Sequence, residues 1–269
     1  MIEFSDIQNI YFLLPIIGFI IGGFGTMLGG GGGFFFIPLL TLWIRVPAQT
    51  AVITSLVATL PICIVGTLGH SRQKNLDFRI AGIFIVTGIV GAIVGAKISS
   101  SISEMLLRTA FGIYSILIAL NMVLETARKK RNKKESSNEN QYEADKKARI
   151  LKGSFFGLAA GTITGTFGTS GTAPVLAGLF SMKIPFKMVI GTSLLIIMVN
   201  TICAIGAHFV VGRIDLTLVA FLTAGSAVGA VVGPQMLSRI QIEKSESKAK
   251  YWYAAVMVGI GILMIVGGK

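Results

Sequence analysis

Charged side chains are scarce in this chain: of 269 residues only 13% are Asp, Glu, Lys or Arg, while 53% are hydrophobic. None of those four residues occurs from Ile7 to Ile44 or from Gly153 to Met182. A soluble domain needs far more polar surface than that, so this composition excludes one and implies a polytopic membrane protein. Cysteine is nearly missing. Cys63 and Cys203 each fall inside an apolar run, which excludes a disulfide framework and a zinc-type ligand spacing. No catalytic triad, metal-ligand cluster or Walker-type phosphate loop is present, so no enzyme activity, metal, cofactor or ATP-driven pumping by this chain alone is expected. No cation sits near the middle of any span, so a crossing anion has to be met by backbone N–H groups and hydroxyls. The N-terminal MIEFSDIQNI lacks a basic signal-peptide region and is read as mature sequence.

Hydrophobic length is what the chain has instead. Charge-free runs cover 7–44, 46–71, 80–96, 109–124, 153–182, 188–212, 216–238 and 251–268. One membrane pass takes about 20 apolar residues, within a range of about 17–25. Six runs suit one pass each; 7–44 and 153–182 are too long for one and contain glycine breaks. The net charge of +12 lies mostly in loops beside spans. That pattern reads as positive-inside topology in a lipid bilayer and not as nucleic-acid binding.

The first break is Gly29 to Gly33, five glycines inside GTMLGGGGGFFFIPLL. Five glycines cost too much backbone entropy for a helix interior. Irregular backbone at membrane depth persists only where protein buries it or where it lines a wet cavity. A short helix is predicted to restart through Phe34-Phe35-Phe36-Ile37-Pro38, with Pro38 in or near its first turn. A helix start opening on a glycine loop offers free N–H groups and a positive dipole end, which suits an anion.

The unit is duplicated. Pro47-x6-Thr54-Ser55 recurs as Pro185-x6-Thr192-Ser193, and at the same offset His70, Asp77, Gly91 and Gly95 match His208, Asp215, Gly229 and Gly233. Upstream the register slips slightly, so that Gly18, Gly22 and Pro38 match Gly157, Gly161 and Pro174, and GGGGGFFFIP matches GTSGTAPVLA. Three segments follow: a first membrane repeat at 1–127, a charged linker at 128–152 that is too polar to bury a core, and a second membrane repeat at 153–269. With five passes per half, the halves are antiparallel and nineteen Lys and Arg lie inside with five outside; with eight passes in all, the split is fifteen to nine. The charge rule favours two inverted repeats in the cell (inner) membrane, N-terminus outside and linker cytoplasmic.

Together these residues resemble the TauE/SafE family of sulfite exporters, also called the toluene-sulfonate uptake permease family. The glycine break running into Phe-Phe-x-x-Pro, its weaker copy GTFGTSGTAPVL, and the repeated Pro…Thr-Ser carry the likeness, which covers nearly the whole chain apart from the linker. The resemblance implies a transporter of sulfite, sulfonates or related sulfur-containing anions. The second copy departs from the pattern, with Thr169, Ser170 and Thr172 in place of glycines.

The fold expected is therefore an all-α polytopic membrane protein of two homologous, inverted repeats, each with a glycine-broken helix region. The substrate site is expected at Gly31, Gly32, Gly33 and Phe34 of the first break and at Gly168, Thr169, Ser170, Gly171 and Thr172 of the second. Ser170 or Thr172 either caps the short helix or donates to an anion. Thr54, Ser55, Thr192 and Ser193 either bond back to the preceding turn or face substrate. Asn200 needs a partner across helices or in a cavity. His70 and His208 are interfacial anchors or proton-coupling groups, while Asp77 and Asp215 are helix caps. Gly157/Gly161/Gly165 and Gly225/Gly229/Gly233 carry the small-xxx-small spacing of close helix packing. The function expected is alternating-access transport of a small anion. The alternatives are an anion channel filtered by the glycine loops, and a membrane-embedded sulfur-handling protein that uses Cys63 and Cys203.

Overall fold

The computed structural model describes residues 2–6, 9–28, 30–131, 146–182, 184–209, 214–237 and 246–267. Helices make up almost all of it: α1 (Leu14–Leu28, led in by a 3-10 turn at Asn9–Leu13), α2 (Gly33–Pro38), α3 (Ala48–Arg72), α4 (Phe78–Ser101), α5 (Glu104–Arg131), α6 (Lys146–Phe167), α7 (Thr172–Ser181), α8 (Phe186–Phe209), α9 (Leu216–Leu237) and α10 (Glu246–Val266). The one ladder among the described residues is a parallel pair of two-residue strands, β1 (Ile2–Glu3) and β2 (Ile214–Asp215). Among the described residues, five segments are long and apolar enough to cross a bilayer: Asn9–Thr26, Ala48–Arg72, Phe78–Ser101, Glu104–Leu124 and Phe186–Phe209. Large apolar side chains such as Phe24, Val86, Val90, Leu117 and Leu120 point outward. Such a surface is costly in water and suits lipid, as an all-α polytopic membrane protein requires.

Helix starts follow local chemistry. The carboxylate of Asp77 accepts the N–H groups of Arg79 and Ile80 at 3.0 Å, and Asp215 accepts those of Thr217 at 3.0 Å and Leu218 at 3.2 Å, so both act as the expected caps. Pro47 and Pro185 each present a carbonyl that accepts an N–H from the first helical turn, from Ala51 at 2.9 Å and Val189 at 3.0 Å. Pro38 departs from expectation. Because α2 already begins at Gly33, Pro38 is the last residue of that helix instead of a first-turn residue, and a wider π-turn follows at Leu39–Trp43. A proline has no N–H to give and crowds the carbonyl four residues back, so the α-helical ladder loosens there. Of the predicted linker, 128–131 extend α5 and 146–152 open α6, while 132–145 lie outside the described residues.

The densest packing crosses between the halves. Helix α1 lies along α9 and α6 lies along α4, through seams of small residues. A Cβ on Gly161 would sit 1.9 Å from the carbonyl oxygen of Gly88, and one on Gly225 at 1.9 Å from that of Pro15. Gly157, Gly165 and Gly229 are equally tight. These five are packing glycines; the surroundings of Gly233 are outside the described residues. In both seams backbones approach more closely than any side chain permits. Helices α5 and α10 form a third pair, in which Gly112 and Gly261 face each other.

Contacts near helix ends show which ends share a face. Arg149 on α6 reaches the carbonyl of Met182 just after α7 at 3.5 Å, and the N–H of Asp77 donates to Thr192 in the second turn of α8 at 3.0 Å. The loop after α3, the starts of α6 and α8 and the end of α7 therefore lie together. On the other side, Ile53 in the second turn of α3 packs with Ile214 and Val219, and β1 pairs with β2. There the N-terminus, the start of α3 and the start of α9 lie together.

Candidate functional site

The two glycine breaks meet each other inside the helix bundle. Gly31 (φ 64°) and Gly32 (φ 73°) in the first break, and Gly168 (φ 67°) and Gly171 (φ 55°) in the second, adopt left-handed backbone that L side chains rarely take. These turns reverse the chain between α1 and α2 and between α6 and α7. Neither turn relies on a side-chain cap: the residue before each short helix is glycine, Gly32 for α2 and Gly171 for α7.

That corrects the capping reading of Ser170 and Thr172. Both hydroxyls cross to the other break instead and donate to the carbonyl of Gly30, Thr172 at 2.7 Å, and they contact each other at 3.0 Å. The physical reason lies in Gly171: its left-handed conformation turns the chain before α7 starts, so Thr172 is already the first helical residue. From α3, the hydroxyl of Ser55 is placed between the carbonyls of Gly33 at 3.1 Å and Gly168 at 2.9 Å, one from each break. Gly31 lies against Thr59, Cys63 and Ser170, and Gly168 against the backbone of Val52.

Around this junction several groups keep unused capacity. The N–H groups of Thr169, Ser170 and Gly171 meet no acceptor among the described residues. Thr169 is 2% exposed and its hydroxyl also lacks a partner there. These three successive amides lie between two left-handed glycines, Gly168 and Gly171, and offer donors of the kind that bind anions. Leaving such groups unpaired in a buried site costs about 1–3 kcal/mol each, so an acceptor is strongly favoured.

The remaining predicted residues divide. Ser193 bonds back to the carbonyl of Ile190 at 2.8 Å, and its counterpart Ser55 bridges the breaks. Thr192 serves the loop before α4 by accepting the N–H of Asp77, and Thr54 is fully buried with no partner among the described residues. Asn200 on α8 is 1% exposed, lies against Gly88 of α4, and has neither amide atom paired among the described residues. Phe34 turns away from the break into an aromatic group, with its ring 5.3 Å from Phe111; Phe111 in turn stands 5.9 Å from Phe167. His208 is buried and bonded through Nε2 to the carbonyl of Gly165 at 2.6 Å, close to the second break, while His70 is half-buried at the opposite end of the fold. Cys63 is buried against Gly31, Cys203 is half-buried, and both thiols are free. Among the described residues no group of His, Cys, Asp and Glu is placed to hold a metal.

Sequence reading overlooked Thr59 and the Phe111–Phe167 pair, and it named Cys63 only for sulfur chemistry and not as a neighbour of the first break. Thr59 and Cys63 stand at i+4 and i+8 from Ser55, and that helical spacing is the signal that points to them.

The sulfite exporter TauE/SafE family model matches residues 14–264. Among proteins of similar sequence is a probable membrane transporter protein, YdhB, of Bacillus subtilis, 29% identical over 82% of this chain and 88% of its own length. A second from that organism, the probable membrane transporter protein YunE, is 24% identical over 86% of this chain and 90% of its own. A third, MJ0441 of Methanocaldococcus jannaschii, also a probable membrane transporter protein, is 28% identical over 71% and 69%. No solved structure matches the chain.

Proposed function

The chain belongs to the sulfite exporter TauE/SafE family of membrane transporters, and from that premise we propose that it carries a small oxyanion, sulfite or an organosulfonate, across the cell membrane by alternating access. The observation that carries this reading is the junction of the two breaks, where Ser55, Ser170 and Thr172 tie the loops together beside the N–H groups of Thr169, Ser170 and Gly171, which meet no acceptor among the described residues. An oxyanion has acceptor oxygens for those amides and for the hydroxyls of Thr169 and Ser170. Amide nests bind such groups without a fixed cation. In the conformation described, the hydroxyls of Ser170 and Thr172 are spent on Gly30, so the loops close on each other; arrival of an anion would compete for them.

Two inverted repeats fit the arrangement of ends. The start of α8 lies beside the loop after α3, and α7 ends where α6 begins. An eight-pass topology would put those partners on opposite faces of the bilayer, whereas the five-plus-five topology keeps them on one. Together with the excess of Lys and Arg on that face, this supports an outside N-terminus and a cytoplasmic linker. The bodies that rock are then not the sequence halves. Because α1 is bound to α9 and α6 to α4, each body combines a broken pair from one half with a helix of the other.

The experiment is uptake and efflux of labelled sulfite, sulfonates and sulfate in vesicles containing only this protein. Saturable, gradient-dependent accumulation of sulfite or a sulfonate is the result expected. Vesicles that accumulate none of these anions beyond protein-free controls would overturn the reading.

A further inference from the structure

We infer that Arg108 forms an outer anion-receiving site, the mouth of the path to the glycine breaks, in a crevice at the face where α3 and α5 begin. The inference rests on the transport reading above and adds to it the point of entry. The crevice is narrow and opens to solvent, and Thr41, Val52, Arg108, Phe111, Phe167 and Met264 are among its walls. Arg108 is the cation among those walls and is set in an otherwise apolar surround. Its side chain is 17% exposed; Nη2 holds Glu104 at 2.6 Å, and Nε is buried with no partner among the described residues. The carboxylate oxygen that Arg108 holds also accepts the N–H of Ala48 at 3.2 Å, at the start of α3. The pair is neutral overall, but Glu104 occupies one edge of the guanidinium and leaves Nε–H unspent among the described residues. The planar donor fork of Arg108 suits a sulfite or sulfonate group.

The inner end of the crevice adjoins both breaks. Phe167 immediately precedes Gly168, and the Val52 backbone touches Gly168. Phe34, which follows Gly33, stacks near Phe111, and Tyr114 stacks on Phe167 at 5.4 Å. These four rings separate the Arg108 crevice from the amides of the junction. An anion held at Arg108 therefore waits one aromatic layer from the nest, and parting of the rings admits it.

The test uses the full-length protein in vesicles of known orientation, with labelled sulfite as the probe. Arg108→Gln should raise KM for sulfite offered at this face about tenfold and leave kcat within about twofold, and Arg108→Lys should restore much of the affinity. Glu104→Gln keeps an acceptor for Ala48 and removes the countercharge, so its KM should fall. An unchanged KM in both Arg108→Gln and Glu104→Gln overturns the proposal. If wild type moves no sulfite, the transport reading fails separately, and the site is judged by a second measurement. In that case a cysteine at Met105, exposed one helical turn before Arg108, with Cys63 and Cys203 replaced, is labelled by anionic and cationic thiol reagents. Arg108→Gln should lower the anionic-to-cationic rate ratio severalfold; an equal ratio with and without Arg108 overturns the site.

Discussion

A disulfide across the two breaks would hold the carrier shut. A Cβ built on Gly30 lies 3.9 Å from the Cβ of Thr172, within the range of about 3.5–4.5 Å that disulfides adopt. Gly30 does not share the left-handed backbone of Gly31 and Gly32, so a side chain is conformationally admissible there. The other cost is the hydrogen bond from Thr172 to Gly30, 2.7 Å in the protein as it stands, worth about 1 kcal/mol. Each single cysteine variant should therefore retain most transport. With both present, and Cys63 and Cys203 replaced by alanine, oxidation joins residues 142 apart in sequence. A cross-link closing a loop of ~100 residues or more contributes roughly 5 kcal/mol against separation in the chain-entropy estimate, and the covalent bond itself forbids parting of the loops. Uptake by vesicles before oxidation, after oxidation and after reduction is the assay. Oxidation should remove nearly all transport, and a reductant should bring it back. Full transport by the oxidised pair would refute the idea that the breaks separate in each cycle.

Linking Tyr11→Cys to Phe221→Cys with a short bifunctional reagent, where the native rings are 6.1 Å apart, should leave transport intact because both belong to one rocking body; loss of transport in the linked but folded protein would argue against that division. Ser55→Ala leaves the carbonyls of Gly33 and Gly168 without their shared donor, a cost of about 1–3 kcal/mol, and should weaken sulfite transport about tenfold or more at normal membrane levels; wild-type kinetics would count against the junction as the site. Gly161→Ala meets the Gly88 carbonyl, whereas Gly82→Ala meets nothing within 4 Å, so the first should lower the melting temperature markedly and the second should not. Single cysteines at Gln73 and Ser181 should label from one side of the membrane and Ser103 from the other; Ser181 labelling together with Ser103 would restore the eight-pass topology.

Much of this was readable from residue order, and the parts that were not have a common cause. Glycine runs, helix caps at Asp77 and Asp215 and the small-residue seams are local or periodic features, and local chemistry decides them. The partners of Ser170 and Thr172 were not readable, since Gly30 is 140 and 142 residues away and a hydroxyl before a short helix carries the same signature whether it caps or crosses. Likewise the placement of Ser55 between the carbonyls of Gly33 and Gly168 was not readable, since the second of these lies 113 residues away. Pro38 misled for a smaller reason: the short helix that begins at Gly33 gives way to a π-turn directly after Pro38, so the proline closes the helix and does not open it.

The exchange of partners between α1–α9 and α6–α4 also sets a timetable for synthesis. Gly18 and Gly22 on α1 fit the backbone of α9, from Leu222 to Ser226. At about 5–20 residues per second, the ribosome needs roughly 10–40 s after finishing α1 before α9 starts to emerge. During that interval the grooved face of α1 rests against lipid or an insertion factor. The nascent first half waits in the bilayer as a set of unmatched helices. A chain arrested before α9 would present that unmatched groove to membrane quality control, so truncations within the second half should be cleared from the cell faster than missense variants that leave both seams complete.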